Sequence, residues 1–232
     1  MIDKLKWDSN FFGYPVGKFL VNDGYFFNQD LFIEKAKPFK LVYIMAKSPI
    51  NIRGECIRHV DNKIIFTKEI DLNKKSDPLD GCVLFQETQL DYNELLKLTF
   101  ESGKYSRFKL DLNFKKNEFK RLYKEWIAKS LREAEKTKVL VYPDKSYIAG
   151  FITISINRGF SEIGLVAVSP GYQGQGLGSK LLSSAEKIAR EHLASMVKVA
   201  TQEMNENAIK LYLKNGYNKS EKIYIYHYWN NP

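Results

Sequence analysis

The chain has 232 residues, 44% hydrophobic and 14% aromatic, enough to bury one large core or two modest ones. Its net charge of +9 attracts anions, whether nucleic acid or nucleotide-like small molecules. No segment has the apolar run of a membrane span, and no RNA- or DNA-binding signature is present.

The opening "MIDKLKWDSN" carries charges where a signal peptide needs an apolar core, so a cytoplasmic chain is expected. "LKWDSNFFGYPVG" (5–17) follows, with aromatics and glycines around a polar turn. "GKFLV", "KLVYIMA" and "KIIFTKEI" then predict short strands, and "FNQDLFIEKAK" a short helix between the first two. Polar "DLNKKSDPLDG" (71–81), with Pro78 and Gly81, is the expected boundary between a small N-terminal α/β domain (1–80) and a larger one (81–232).

"CVLFQET" predicts a strand, and "YNELLKLTFES" and "NEFKRLYKEWIAKSLREA" predict helices. The lysines of 104–126 read as a solvated helix face. Strands are expected at "KVLVYP", "YIAGFITISI" and "SEIGLVAVS", then a helix over 177–193. A strand at "VKVATQ", a helix at "NENAIKLYLKNG" and an alternating strand at "KIYIYHYW" complete the chain. Cys56 and Cys82 lack metal-ligand spacing and His59, His192 and His227 are scattered, so no metal site is expected.

"SPGYQGQGLGSKLL" places four glycines, Gly171, Gly174, Gly176 and Gly178, before a helix. Bare backbone N–H groups and the positive end of a helix dipole make an anion site. The Lys-Ser/Thr pair of a P-loop is missing, as is a magnesium ligand set, so the phosphate is expected to be held and not transferred.

Element order and loop together resemble the GCN5-related N-acetyltransferase (GNAT) family, whose Q/R-x-x-G-x-G/A signature stands here as Gln173-x-x-Gly176-x-Gly178. "NENAIKLYLKNGY" (205–217) resembles a later helix of that family, with Ala208 and Tyr212 on one face; either Asn205 or Asn207 fits the motif's asparagine. "LKWDSNFFG", "YSRF" (105–108) and "LYKEWI" (122–127) are similar to the dTDP-fucosamine N-acetyltransferases of bacterial surface-polysaccharide synthesis.

The resemblance implies an α/β fold with a mixed, mostly antiparallel sheet flanked by helices, and acetyl-CoA as acyl donor. It implies donor contacts at Val166, Ala167 and Val168 of the strand and at Gln173, Gly174, Gln175, Gly176, Leu177, Gly178 and Ser179 of the loop, with Asn207 beyond. Tyr212 is the expected general acid, and a backbone N–H near Val166 or Ala167 the oxyanion donor. Glu162 is a candidate base, with direct loss of the proton to water the alternative. On the acceptor side Arg107 is expected to meet a diphosphate, and Trp7, Phe11, Phe12 and Tyr105 to stack on a base or sugar. The expected partner is thus a small nucleotide sugar and not nucleic acid, with a homodimer left open. Acetylation of a protein, peptide or polyamine, and a CoA-binding module without turnover, are the alternatives.

Overall fold

The computed structural model describes residues 1–22, 24, 26–74 and 79–230. Ten strands form one sheet: β1 (Asp3–Lys4), β2 (Val16–Val21), β3 (Leu41–Ala46), β4 (Ile57–Glu69), β5 (Val83–Leu84), β6 (Thr137–Asp144), β7 (Tyr147–Asn157), β8 (Phe160–Val168), β9 (Met196–Gln202) and β10 (Asn218–Trp229). Seven helices join them: α1 (Lys6–Phe12), α2 (Gln29–Ala36), α3 (Tyr92–Ser102), α4 (Arg107–Leu110), α5 (Glu118–Arg132), α6 (Leu177–Glu191) and α7 (Glu206–Lys214).

The sheet order is β1-β2-β3-β10-β4-β9-β8-β7-β6-β5. It is antiparallel except for the β2–β3 and β8–β9 pairs. The sheet therefore runs straight through the boundary expected near residue 80: β4, from before it, lies between β9 and β10, from after it. Alternation explains how β4 fits there. Ile64 and Phe66 enter the core beneath α6 and α7, while Asp61 and Lys63 point to the other face. Pro78 of the expected linker lies outside the described residues.

Strand alternation sorts the core into two layers. Val42, Ile44, Tyr226 and Tyr228 meet α2, and Ile64, Ile152, Val197 and Val199 meet α6 and α7. On the opposite face Val139, Val141 and Phe151 meet α3 and α5, while Tyr43 and Trp229 meet α1, α4 and α5. Gly103 lets α3 close on α5, because a Cβ there would lie 2.4 Å from the Tyr123 ring.

Two elements differ from expectation. The segment at 5–17 holds α1, stopped by Gly13 at φ +78° with its N–H donating to the Ser9 carbonyl. The strand expected over 82–88 shortens to Val83–Leu84, because a 3₁₀ turn at Phe85–Glu87 is tied off when Thr88 donates from both its N–H and Oγ1 to the Phe85 carbonyl.

Candidate active site

The site begins where two parallel strands separate. β8 and β9 pair from Phe160–Met196 to Ile163–Val199 and then part. Beyond that point β9 continues against β4 alone, and β8 against β7 alone. A bulge starts the divergence: Gly164 and Leu165 together face Thr153 of β7, whose Oγ1 accepts the Leu165 N–H at 2.8 Å. Ser169 N–H donates to the Ala149 carbonyl, so by alternation the odd positions bond β7. The N–H groups of Val166 and Val168 consequently face the gap. Gln173 Nε2 reaches across to the Val168 carbonyl at 3.0 Å.

The glycine loop closes one end of the gap. Gly174 and Gly176 adopt φ +76° and +80°, which other residues rarely hold, and a Cβ on either would meet no protein atom within 4 Å. That open space lies above the start of α6, where no side chain caps the helix and no acidic residue stands in the first turn. Gly178 serves a different purpose: its Cβ would lie 3.0 Å from Leu211, so it lets α6 pack on α7.

The resulting cavity, about 430 Å³, is bounded by Val166–Val168, by the loop from Gln173 to Ser179 except Gln175, and by α7. Gln175 is the expected loop residue that stays out; its Nε2 turns back to the Gly171 carbonyl at 3.0 Å. Asn205 and Asn207 both line the cavity, and Asn205 also caps α7 by accepting the Ala208 N–H. The residues present suit a pantetheine pyrophosphate, with free strand amides for the arm and bare loop amides for the phosphates.

Tyr212 lines the same cavity, its ring fixed 5.5 Å from that of Phe66 and 6.0 Å from that of Tyr217. Burial pushes its phenol pKa up, so the hydroxyl keeps its proton. Glu162 is not brought to the cavity. It is exposed on the paired part of β8, in register with Lys198.

On the far side of the sheet a polar cluster gathers around Arg107. Its guanidinium lies 4.3 Å from the Phe108 ring and 5.2 Å from the Tyr43 ring, and Nε is buried with no hydrogen-bond partner among the described residues. Tyr43 donates to Asp8 at 3.4 Å. Asp61 is pushed up to about 6 because burial outweighs the attraction of Arg107. Behind them His227 Nδ1 and Trp229 Nε1 donate to Asp111 Oδ2 at 2.6 and 2.8 Å.

Phe12, expected to stack on ligand, is a core residue, enclosed by Phe108, Phe114 and Tyr14. Trp7 stacks on Phe11 at 5.2 Å and is 43% exposed; Phe11 also carries the Arg121 guanidinium at 5.0 Å. Tyr105 lies beneath the Lys104 ammonium at 5.0 Å. Asp61, Tyr43 and Asp8 were not foreseen. The residues lie on separate elements, and the one signal in the sequence is the lone acid of "HVDNKIIF".

A model of the Acetyltransferase (GNAT) family matches residues 98–217, which include the glycine loop, both diverging strands and Tyr212. The chain belongs to the GNAT family. That membership and the fold support an acetyl-CoA-dependent N-acetyltransferase. Solved structures agree on the fold. A functionally unknown conserved protein from Staphylococcus epidermidis matches with TM-score 0.63 and 12% identity over 94% of this chain and 84% of its own. A GCN5-related N-acetyltransferase from Sphaerobacter thermophilus matches with TM-score 0.55 and 14% identity over 88% and 66%. A spore coat polysaccharide biosynthesis protein, SpsD of Bacillus subtilis, is 23% identical over 139 residues, 60% of this chain. The match spans about half of that relative, 48% of its length. No helix among the described residues is long and apolar enough to cross a membrane, and no group of three or more metal-ligating side chains occurs among them.

Proposed function

We propose that this GNAT enzyme acetylates the amine of a nucleotide-linked amino-deoxy sugar, of the dTDP-4-amino-4,6-dideoxyhexose type, for a surface polysaccharide. The observation that carries this reading is the likeness to a polysaccharide biosynthesis protein. The net charge of +9 suits a phosphate-bearing substrate.

Acetyl-CoA supplies an activated acyl thioester. The N–H of Val166, unused by β7, donates to the oxygen on which charge develops. Tyr212, kept protonated by burial, gives its proton to the departing thiolate. The acceptor amine must lose a proton to attack. Asp61 is the carboxylate on that side suited to receive it, because its pKa of about 6 leaves it ionised yet basic near neutrality.

Thiol release from acetyl-CoA, measured with nucleotide-linked amino sugars, free amino sugars, polyamines and peptides, tests the reading. Turnover should be fastest with a dTDP-linked 4-amino-6-deoxyhexose. Faster turnover of a peptide or polyamine would overturn the assignment.

A further inference from the structure

A second cavity, about 730 Å³ and of a size suited to a small ligand, lies among α3, α4 and α5. Lysines crowd its rim: Lys97 from α3, Lys109 from α4, Lys115 and Lys116 before α5, and Lys120 within it. Lys97 is committed to Glu94 at 2.5 Å. The other four have no ion pair among the described residues. Ammonium groups gathered on a concave surface repel one another and attract an anion.

The floor is aromatic. Phe100, Phe108, Phe114 and Phe119 line it, with Lys109 poised 5.6 Å from the Phe119 ring and Lys120 5.8 Å from the Phe100 ring. Such a wall offers a planar base a surface beside the charges that hold its phosphates. Two acids also line the cavity, Asp111 and Glu101. Asp111 spends its Oδ2 on His227 and Trp229. Glu101 stands on the divide, because it lines the donor cavity too, together with Ser102 and Lys104 of the same turn. The two cavities therefore adjoin across the end of α3.

We infer that the lysine-rimmed cavity seats the nucleoside diphosphate of the acceptor, with the sugar crossing the Glu101–Lys104 turn to bring its amine to the donor cavity. The inference rests on the nucleotide-sugar reading above. It reassigns the diphosphate from Arg107, whose guanidinium is stacked on Phe108 beside Asp61 and Asp8, to Lys109, Lys115, Lys116 and Lys120, which are exposed and have no ion pair among the described residues. Lysines that read in sequence as a solvated face thus acquire a ligand. A diphosphate fits better than a single phosphate because the lysines come from α4, the segment before α5 and α5 itself.

The test is a double substitution, K109A/K116A, of two exposed side chains on the rim. Calorimetry would measure thymidine diphosphate, inorganic pyrophosphate and acetyl-CoA, and kinetics would compare a dTDP-linked amino sugar with the free amino sugar. Thymidine diphosphate should bind about tenfold or more weakly to the variant, with KM for the nucleotide sugar raised alike. The kcat and the affinity for acetyl-CoA should stay unchanged. Weaker binding of pyrophosphate than of thymidine diphosphate to the wild type would support the aromatic floor; equal binding would overturn that part. If thymidine diphosphate binds wild type and variant equally, the subsite is elsewhere and the nucleotide-sugar reading stands. If it does not bind the wild type and the dTDP-linked sugar is turned over no faster than the free one, the nucleotide reading fails and this inference with it.

Discussion

The donor and acceptor sides of this enzyme are made from different materials. The donor side is mostly backbone: amides freed where β8 leaves β9, and a loop in which glycines take up left-handed φ. The side we assign to the acceptor is mostly side chains, with Asp8, Tyr43, Asp61 and Arg107 drawn from α1, β3, β4 and α4. Backbone geometry can be shared by every member of a family that handles one donor. Side chains gathered from distant segments can change with each acceptor without disturbing that frame. The insertion of β4 beside β9 is what carries Asp61 into the frame.

Tyr212 is the exception, a side chain on the donor side to which we assign a chemical role. Tyr212→Phe keeps the ring against Phe66 and should leave thermal stability nearly unaltered. It should lower kcat by ~10²–10⁴, with acetyl-CoA affinity intact, in steady-state kinetics paired with calorimetry. A variant as active as the wild type would reduce Tyr212 to packing and leave the donor side purely backbone.

Asp61→Asn probes the acceptor side. Removing the proton acceptor should cost about 10²-fold in kcat/KM for the amine. The wild-type rate should fall as pH drops through about 6, where the Asp61 carboxylate gains its proton. The variant should lose that limb of the profile. If both profiles keep the same acid limb, the proton leaves by another route.

Gly176→Val probes the loop. A branched side chain would be forced into φ +80° and into the open space above α6. Acetyl-CoA should bind at least about tenfold more weakly by calorimetry, since backbone strain of this kind costs on the order of 1–3 kcal/mol before any clash with the ligand is counted. Binding of thymidine diphosphate should not change. Gly178→Ala would strain the α6–α7 contact at Leu211 instead, so its primary loss should appear in thermal stability.

The same contrast explains what could be read from the chain. α3, α5, α6 and α7 follow from apolar spacing and their stop signals, and the loop follows from its glycines, because each is a local property. The partnership of β4 with β9 is not local. Nothing in "KIIFTKEI" states that its neighbour lies more than a hundred residues onward. Glu162 was a plausible base only while the point of strand divergence was unknown; two residues before that bulge it remains within the paired sheet. Phe12 belongs to an aromatic cluster whose sequence does not reveal which rings the fold encloses.

The smallest effect concerns the layer behind the acceptor cluster. His227 is fully buried, and burial pushes its pKa down to about 4 against the upward pull of Asp111. The unfolded chain has an ordinary imidazole near 6.5, so between those values the folded state binds fewer protons than the unfolded one. Through His227, acidification from pH 6.5 to 4 therefore favours unfolding and stability recovers as pH rises, while Asp61, pushed up to about 6, opposes this over the lower part of the same window. Asp111 acts in the same direction lower still. Although burial alone would raise its pKa, the hydrogen bonds from His227 and Trp229 hold it well below the carboxylate range. Thermal melting across this window should show Tm falling toward acid in Asp61→Asn, where the opposing carboxyl is absent. His227→Phe should lower Tm at neutral pH, because it removes one donor to Asp111, yet flatten the slope between 6.5 and 4. Acetyl-CoA affinity should change little over the same interval, since the donor side is held by backbone groups that do not titrate. An unaltered slope in the variant would mean that the imidazole is not what titrates there, and the acid sensitivity would pass to Asp111, because Asp61 and Asp8, whose pKa values burial raises, act in the opposite direction.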